Sequence, residues 1–304
     1  MKIVSSNIVC SMDDTDFVDY QGKFYGVKPL TSIDDLEGGK GGNSNVFKLI
    51  DPDFDDGEYY IIKFCKYDLD TQNQIEETRI QRFKNEIRAL KLAKDYNSES
   101  VVDLIFNSIT TIDGKDFIYY VMERGDQDLL DYVQTENISD QQKYVLCLAI
   151  LNGIDELHRI GIYHRDIKPD NVFLIDNKPK IGDLGLSEYR DQDQNLDVLR
   201  EKIGPSGWLS PEAVNKMLCE GTIHEHSHCC TIKDYSDIFQ LGKLIWYIFE
   251  GTAPVGQLHF KYFNQGNESV FNLIISMLQH KKEDRPIMAD ILVTFNTQAS
   301  AFNS

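Results

Sequence analysis

His164-Arg165-Asp166-Ile167-Lys168-Pro169-Asp170-Asn171 is followed, within one short hairpin, by Gly182-Asp183-Leu184-Gly185. No other feature constrains this chain as tightly. The two segments set a carboxylate, a lysine, an amide and a second carboxylate on adjacent loops. Phosphoryl transfer calls for such parts: oxygens held in line, and cations where negative charge accumulates. A charged surface turn is the alternative reading, and the rest of the chain has to decide between them.

The 304 residues suffice for one large or two modest domains with a buried core. A make-up of 41% hydrophobic and 26% charged residues is that of a soluble globular protein. The net charge of −18 repels nucleic acid and anionic membrane, so neither is expected as a partner, while a basic peptide stays admissible. Met1 to Tyr20 lacks a basic region followed by an apolar stretch, and no run approaches the roughly 18 apolar residues of a membrane span. Six cysteines sit at irregular spacings, with Cys65 and Cys147 inside apolar runs. Structural thiols in a reducing compartment are expected, and with them a cytoplasmic protein.

The first 125 residues read as strand-rich with one helix, and the remainder as mainly helical. Ser44–Leu49 and Glu58–Cys65 flank a turn-forming Asp51–Gly57 cluster, which predicts a hairpin. Ile80, Phe83, Ile87 and Leu90 recur at helical spacing between Glu76 and Lys94. An apolar strand is expected over Phe117–Met122, with a boundary at Glu123-Arg124-Gly125. Ser139-Asp140-Gln141-Gln142 matches a capping box, for a helix running to about Ile160 and stopped by Gly161. Asp237–Phe249 is apolar on nearly all sides and too short to span a bilayer, so it predicts an enclosed helix capped by Ser236 and stopped by Gly251.

The loops above, with three further motifs, resemble the eukaryotic-type protein kinase superfamily over about Leu36 to Leu292. Gly39-Lys40-Gly41-Gly42-Asn43-Ser44-Asn45-Val46 is similar to its glycine-rich loop, with Ser44 replacing the third glycine. Tyr60-Ile61-Ile62-Lys63 stands where the family has V-A-I-K, with Ile61 replacing a small alanine that faces adenine. Ser210-Pro211-Glu212 stands where it has A-P-E. The resemblance implies an α+β, bilobal fold: an extension over 1–30, a small lobe over 31–125 and a larger helical lobe over 126–304, with one kinase domain at about 31–296.

It also implies the roles. Asp166 accepts the substrate proton, Lys168 faces the transferring phosphoryl, and Lys63 pairs with Glu86 and the ATP phosphates. Gly39, Gly41, Gly42, Ser44 and Val46 cover the nucleotide. Glu123, Gly125, Asp128 and Phe173 complete its site. Asn171 and Asp183 hold Mg²⁺. Lys168 two positions after Asp166 is the pattern of serine/threonine-directed members. Glu212 is expected to pair with Arg285, and Asp237 to bond the backbone of the catalytic loop. Pro205 departs from the family, which usually has there a threonine that bonds the catalytic aspartate.

Arg165 implies a cationic pocket. An anion from phosphorylation at Ser187, Tyr189 or Ser206 fills it, or else acidic neighbours do: Glu188, Asp191, Asp193 and Asp197. Sequence leaves both open. His224-Glu225-His226-Ser227-His228-Cys229-Cys230 has no counterpart in the family. It reads as a solvated loop or, with Cys219 nearby, as a Zn²⁺ site. The expected activity is transfer of the γ-phosphoryl of ATP, with Mg²⁺, to serine or threonine of protein substrates, itself included. The rivals are a catalytically silent kinase-like module and a small-molecule phosphotransferase. Oligomeric state is left open.

Overall fold

The computed structural model describes residues 1–11, 16–30, 43–55, 57–191, 196–264 and 267–300, with residues 299 and 300 by backbone alone. The chain divides into two compact units, Met1–Lys94 with Val102–Arg124, and Asp95–Val101 with Gly125–Ser304.

The first unit contains β1 (Lys2–Val4), β2 (Asn7–Val9), β3 (Phe17–Tyr20), β4 (Lys23–Lys28), β5 (Ser44–Ile50), β6 (Tyr60–Cys65), α1 (Gln74–Asp95), β7 (Leu104–Ile112) and β8 (Lys115–Met122). Six strands form one antiparallel sheet in the order β3-β4-β5-β6-β8-β7. Alternation along them sends Phe47, Leu49, Ile62, Phe64, Tyr119 and Val121 to one core. The predicted hairpin is β5–β6, with Val46 opposite Lys63. In α1 the expected Ile80, Phe83, Ile87 and Leu90 are buried, and Asn73 accepts from the Ile75 N–H at 2.9 Å at its start.

Residues 1–30, read from the sequence as an extension, supply β1–β4. The pairing of β4 with β5 makes β3 and β4 part of the same sheet, β1 and β2 pair with each other, and Ile8, Val18, Tyr25 and Val27 enter its core. The reason is a hairpin hidden in a short polar turn. Tyr20 pairs with Lys23, leaving Gln21 and Gly22 as a two-residue loop with φ of 55° and 82°. Two positive φ values give the turn whose twist matches that of the strands. The sheet then curls until Tyr20 stacks on Phe106 of β7 at 4.0 Å between ring centroids.

The second unit contains β9 (Gln127–Asp128), α2 (Leu129–Thr135), α3 (Asp140–Arg159), β10 (Ile162–Tyr163), β11 (Val172–Ile175), β12 (Lys178–Ile181), β13 (Glu188–Tyr189), α4 (Pro211–Cys219), α5 (Asp234–Glu250), α6 (Glu268–Met277) and α7 (Met288–Ser300). The capping box at Ser139 and Gln142 starts α3, and Gly161 follows its end with φ of 80°. Strands β12-β11-β9 form a small sheet, and β10 pairs with β13.

Helix α5 is enclosed as expected, but it starts three residues earlier than read, and Lys233 rather than Ser236 is its cap. Asp234 and Asp237 fit a first turn because acidic groups favour a helix N-terminus. Ser236 instead points its hydroxyl to the Glu212 carboxylate at 3.2 Å. Gly251 closes the helix at φ 71°. Close packing on α6 depends on Gly242, where a Cβ would stand 2.9 Å from that of Met277.

Candidate active site

The catalytic loop leaves β10 at His164 and is tied down from beneath by α5. Asp237, which is fully buried, accepts the His164 N–H at 2.8 Å and the Arg165 N–H at 2.7 Å. His158 holds the same carboxylate through Nε2 at 2.9 Å. One turn on, Gln240 accepts the Ile167 N–H at 2.9 Å and donates to the Arg165 carbonyl at 3.2 Å. Sequence reasoning found Asp237 and missed Gln240. Its only signal was a polar residue inside an apolar helix, on the face that Asp237 marks. Arg165 itself is left-handed at φ 67°, a conformation that costs about 1–3 kcal/mol unless the surroundings hold it. These four backbone contacts do so.

Asp166 is buried beside Asn171, whose side-chain amide donates to Asp166 Oδ2 and to the Asp166 carbonyl, each at 2.8 Å. Burial pushes the Asp166 carboxyl up to about 6, the Asp183 charge adds to this, and Lys168 with the Asn171 bond works against it. A carboxylate tuned to that range is ionised at neutral pH and is still a competent proton acceptor. Lys168 is half-buried at the head of the single 3₁₀ turn Pro169–Asn171.

Asp183 follows β12 at φ 52°, and the preceding Gly182 N–H donates to the Asn171 carbonyl at 2.9 Å. That bond ties the segment carrying Asp183 to the one carrying Asn171. Among the described residues no three His, Cys, Asp or Glu side chains gather as a metal cage. The donors here are one amide oxygen and one carboxylate. Such a set fits Mg²⁺, which keeps waters and takes phosphate oxygens rather than a closed protein shell.

In the first unit, Lys63 Nζ lies 2.8 Å from Glu86 Oε1, both side chains largely buried. The Tyr120 hydroxyl donates to the same oxygen at 2.9 Å, from the position on β8 opposite Lys63. Tyr120 is a second residue that the sequence reading missed, since nothing in an apolar strand marks which tyrosine meets a carboxylate. Ser44 is buried and Val46 half-buried on β5. Gly39, Gly41 and Gly42 lie outside the described residues.

Glu123 is committed to Asp103: its N–H donates to the Asp103 carbonyl at 3.1 Å, and its carboxylate accepts the Asp103 N–H at 2.6 Å. In the second unit Gly125, Asp128 and Phe173 come together. A Cβ on Gly125 would stand 3.0 Å from that of Phe173, and Phe173 pairs with Asp128 across β11 and β9. Asp128 caps α2 by accepting the Asp131 N–H at 2.8 Å.

Glu212 and Arg285 form the expected pair, bidentate at 2.8 and 3.1 Å. The remaining Arg285 donors reach the carbonyls of Gln279, His280 and Tyr235 at 2.7, 3.0 and 2.7 Å. Behind Pro205, the Ser206 hydroxyl accepts from Lys202 Nζ at 2.8 Å. The zinc expectation fails among the described residues. His224, His226 and His228 are exposed around a 3₁₀ turn, and Cys229 Sγ faces the Lys282 ammonium at 3.4 Å, where a metal cation would be repelled. No helix among the described residues is long and apolar enough to cross a membrane.

A sequence model of the protein kinase domain matches residues 35–295. The mouse dual specificity protein kinase TTK is 27% identical over 219 residues, which cover 71% of this chain and 24% of that protein. CBL-interacting serine/threonine-protein kinase 10 of Arabidopsis thaliana is 27% identical over 238 residues, 73% of this chain and 46% of the relative. A probable serine/threonine-protein kinase, mps1 of Dictyostelium discoideum, is 28% identical over 233 residues, 75% and 22% respectively. The chain thus spans less than half the length of each of these relatives. With the domain match covering most of its residues and the loop geometry described above, this chain belongs to the protein kinase family.

Proposed function

We propose that this chain catalyses Mg²⁺-dependent transfer of the γ-phosphoryl of ATP to serine or threonine hydroxyls of proteins. The observation that carries the reading is Asp166: a buried carboxylate near pKa 6, fixed by Asn171, in a loop strapped by Asp237 and Gln240. Asp166 takes the hydroxyl proton as the substrate oxygen bonds to phosphorus and the bond to the leaving ADP oxygen breaks. Lys168 offsets charge on the equatorial oxygens, and Lys63, oriented by Glu86 and Tyr120, anchors the inner phosphates. Asn171 and Asp183 hold Mg²⁺, which neutralises the phosphate oxygens when bound.

Lys168, together with the serine/threonine kinases among the relatives, supports phosphoryl transfer to serine and threonine hydroxyls. The Glu212–Arg285 pair supports a protein rather than a small-molecule acceptor, since it anchors the end of a long segment from Asp183 to Glu212 that resembles the activation segment of the family. One observation favours a silent module instead: the Ser206 hydroxyl beside Pro205 is taken by Lys202, not by Asp166. Labelled ATP with Mg²⁺ separates the two. Transfer to protein is expected from the wild type, and a loss of about 10²–10⁴-fold from Asp166→Asn. Equal label from both proteins favours the silent module.

A further inference from the structure

The Arg165 pocket, which the sequence left open to either a phosphate or a neighbouring acid, is already filled. Arg165 is buried, and its Nη1 donates to Glu188 Oε2 and its Nη2 to Asp197 Oδ1, each at 2.5 Å. Burial works against its charge, yet Asp197 and Glu188 together hold its pKa above the ordinary guanidinium value. Of the other acids considered, Asp191 is exposed and Asp193 lies outside the described residues.

The contacts continue outward. The second Asp197 oxygen lies 3.8 Å from Lys216 Nζ on α4, and Lys216 bonds Glu220 at 2.7 Å. Glu220 in turn accepts the Arg200 N–H and, by its carbonyl, the Arg200 Nε–H, each at 3.0 Å. Catalytic loop, activation segment and α4 are thereby joined by one chain of charges. It sets three carboxylates (Glu188, Asp197, Glu220) against two buried cations (Arg165, Lys216). A phosphate arriving here finds no surplus positive charge and two carboxylates already in place.

The modifiable hydroxyls point the same way. The Ser187 oxygen is buried beside Glu188 with no hydrogen-bond partner, and Tyr189 is buried in β13. Ser206 is exposed, but it is bonded to Lys202 rather than to Arg165.

We propose that Asp197 and Glu188 are built-in substitutes for an activating phosphate, so that this kinase works with its activation segment unmodified. The inference rests on the phosphoryl-transfer reading and adds the regulation of that same site. Asp197 acts as a positioning residue, through Arg165 and the loop that carries Asp166. An added charge at Ser187 opposes the arrangement and so lowers activity.

The test uses the full chain, treated with a broad-specificity phosphatase until its intact mass equals that of the bare polypeptide. After the phosphatase is removed, initial rates are measured on a basic serine/threonine peptide library. The bare protein is expected to work at no less than half the untreated rate and without a lag. Asp197→Asn is expected to lose at least tenfold in kcat with the KM for ATP changed less than threefold, and Asp197→Glu to recover part of that loss. Ser187→Glu is expected to lose at least tenfold.

Hydrogen exchange over residues 197–204 supplies a readout independent of turnover, with protection in the bare wild type that Asp197→Asn removes. A bare protein that is inactive until phosphorylated overturns this inference and leaves phosphoryl transfer standing. So does an Asp197→Asn variant at full rate, or a gain from Ser187→Glu. Absence of transfer from every form overturns both readings together.

Discussion

Two ion pairs of this chain have the same charges and nearly opposite meanings. Glu212–Arg285 is sealed, with side-chain exposures of 3% and 0%, and the five N–H donors of the guanidinium are all spent on Glu212 and three carbonyls. Lys63–Glu86 keeps 12% of the lysine open to solvent, and a single carboxylate oxygen gathers both the ammonium and the Tyr120 hydroxyl. A saturated pair has nothing further to bind and serves as architecture. In the proposed function the partly exposed Lys63 is the group that meets the phosphates of ATP. The lesson is that the kind of partner and the access of solvent, rather than charge alone, separate a strut from a working group.

The sharpest way to break this comparison is Lys63→Met. Phosphoryl transfer is expected to fall by about 10²–10³-fold, because a cation at the phosphates is lost. Thermal stability should stay close to that of the wild type. A variant that transfers normally, or that unfolds, erases the distinction. Arg285→Ala should do the reverse, lowering unfolding free energy by about 3–5 kcal/mol in a urea titration by stranding Glu212 in the interior. Protein still folded at low temperature should retain its KM for ATP.

The pH profile gives a further, smaller test. The Asp166 carboxyl is raised to about 6, so activity that needs it ionised should fall about tenfold per unit below that pH and be level above it. The same shift bears on stability with the opposite sign. A carboxyl raised above its unfolded value favours the fold at low pH, and that contribution fades as pH rises through about 6. Asp166→Asn should therefore flatten both profiles. Last, Tyr120→Phe removes one hydroxyl from Glu86 and should cost about 1 kcal/mol of stability and less than tenfold in rate, placing this pair between strut and bare surface.

Much of this was legible in the residues. Periodicity gave α1, a capping box gave α3, and an all-round apolar run gave the enclosed α5, since each depends on neighbours a few positions away. Glu212 and Arg285, 73 positions apart, were joined only through the family resemblance. The first four strands escaped notice because β3 and β4 are short and their turn, Gln21-Gly22, lacks the usual asparagine. Gln240 and Tyr120 escaped for another reason. Each matters through one distant partner, and residue type does not announce a partner. The start of α5 was misplaced because Ser236 looks like a cap and is spent on Glu212.

Gly242 carries a consequence beyond packing. It lies two residues past Gln240 and five past Asp237, on the helix that grips the catalytic loop, and it rests against Met277 with no space for a methyl group. An alanine there would lift the helix by a few tenths of an ångström, and the grip would travel with it. A substitution distant from any reacting atom would then be felt as a loss of turnover before it was felt as unfolding.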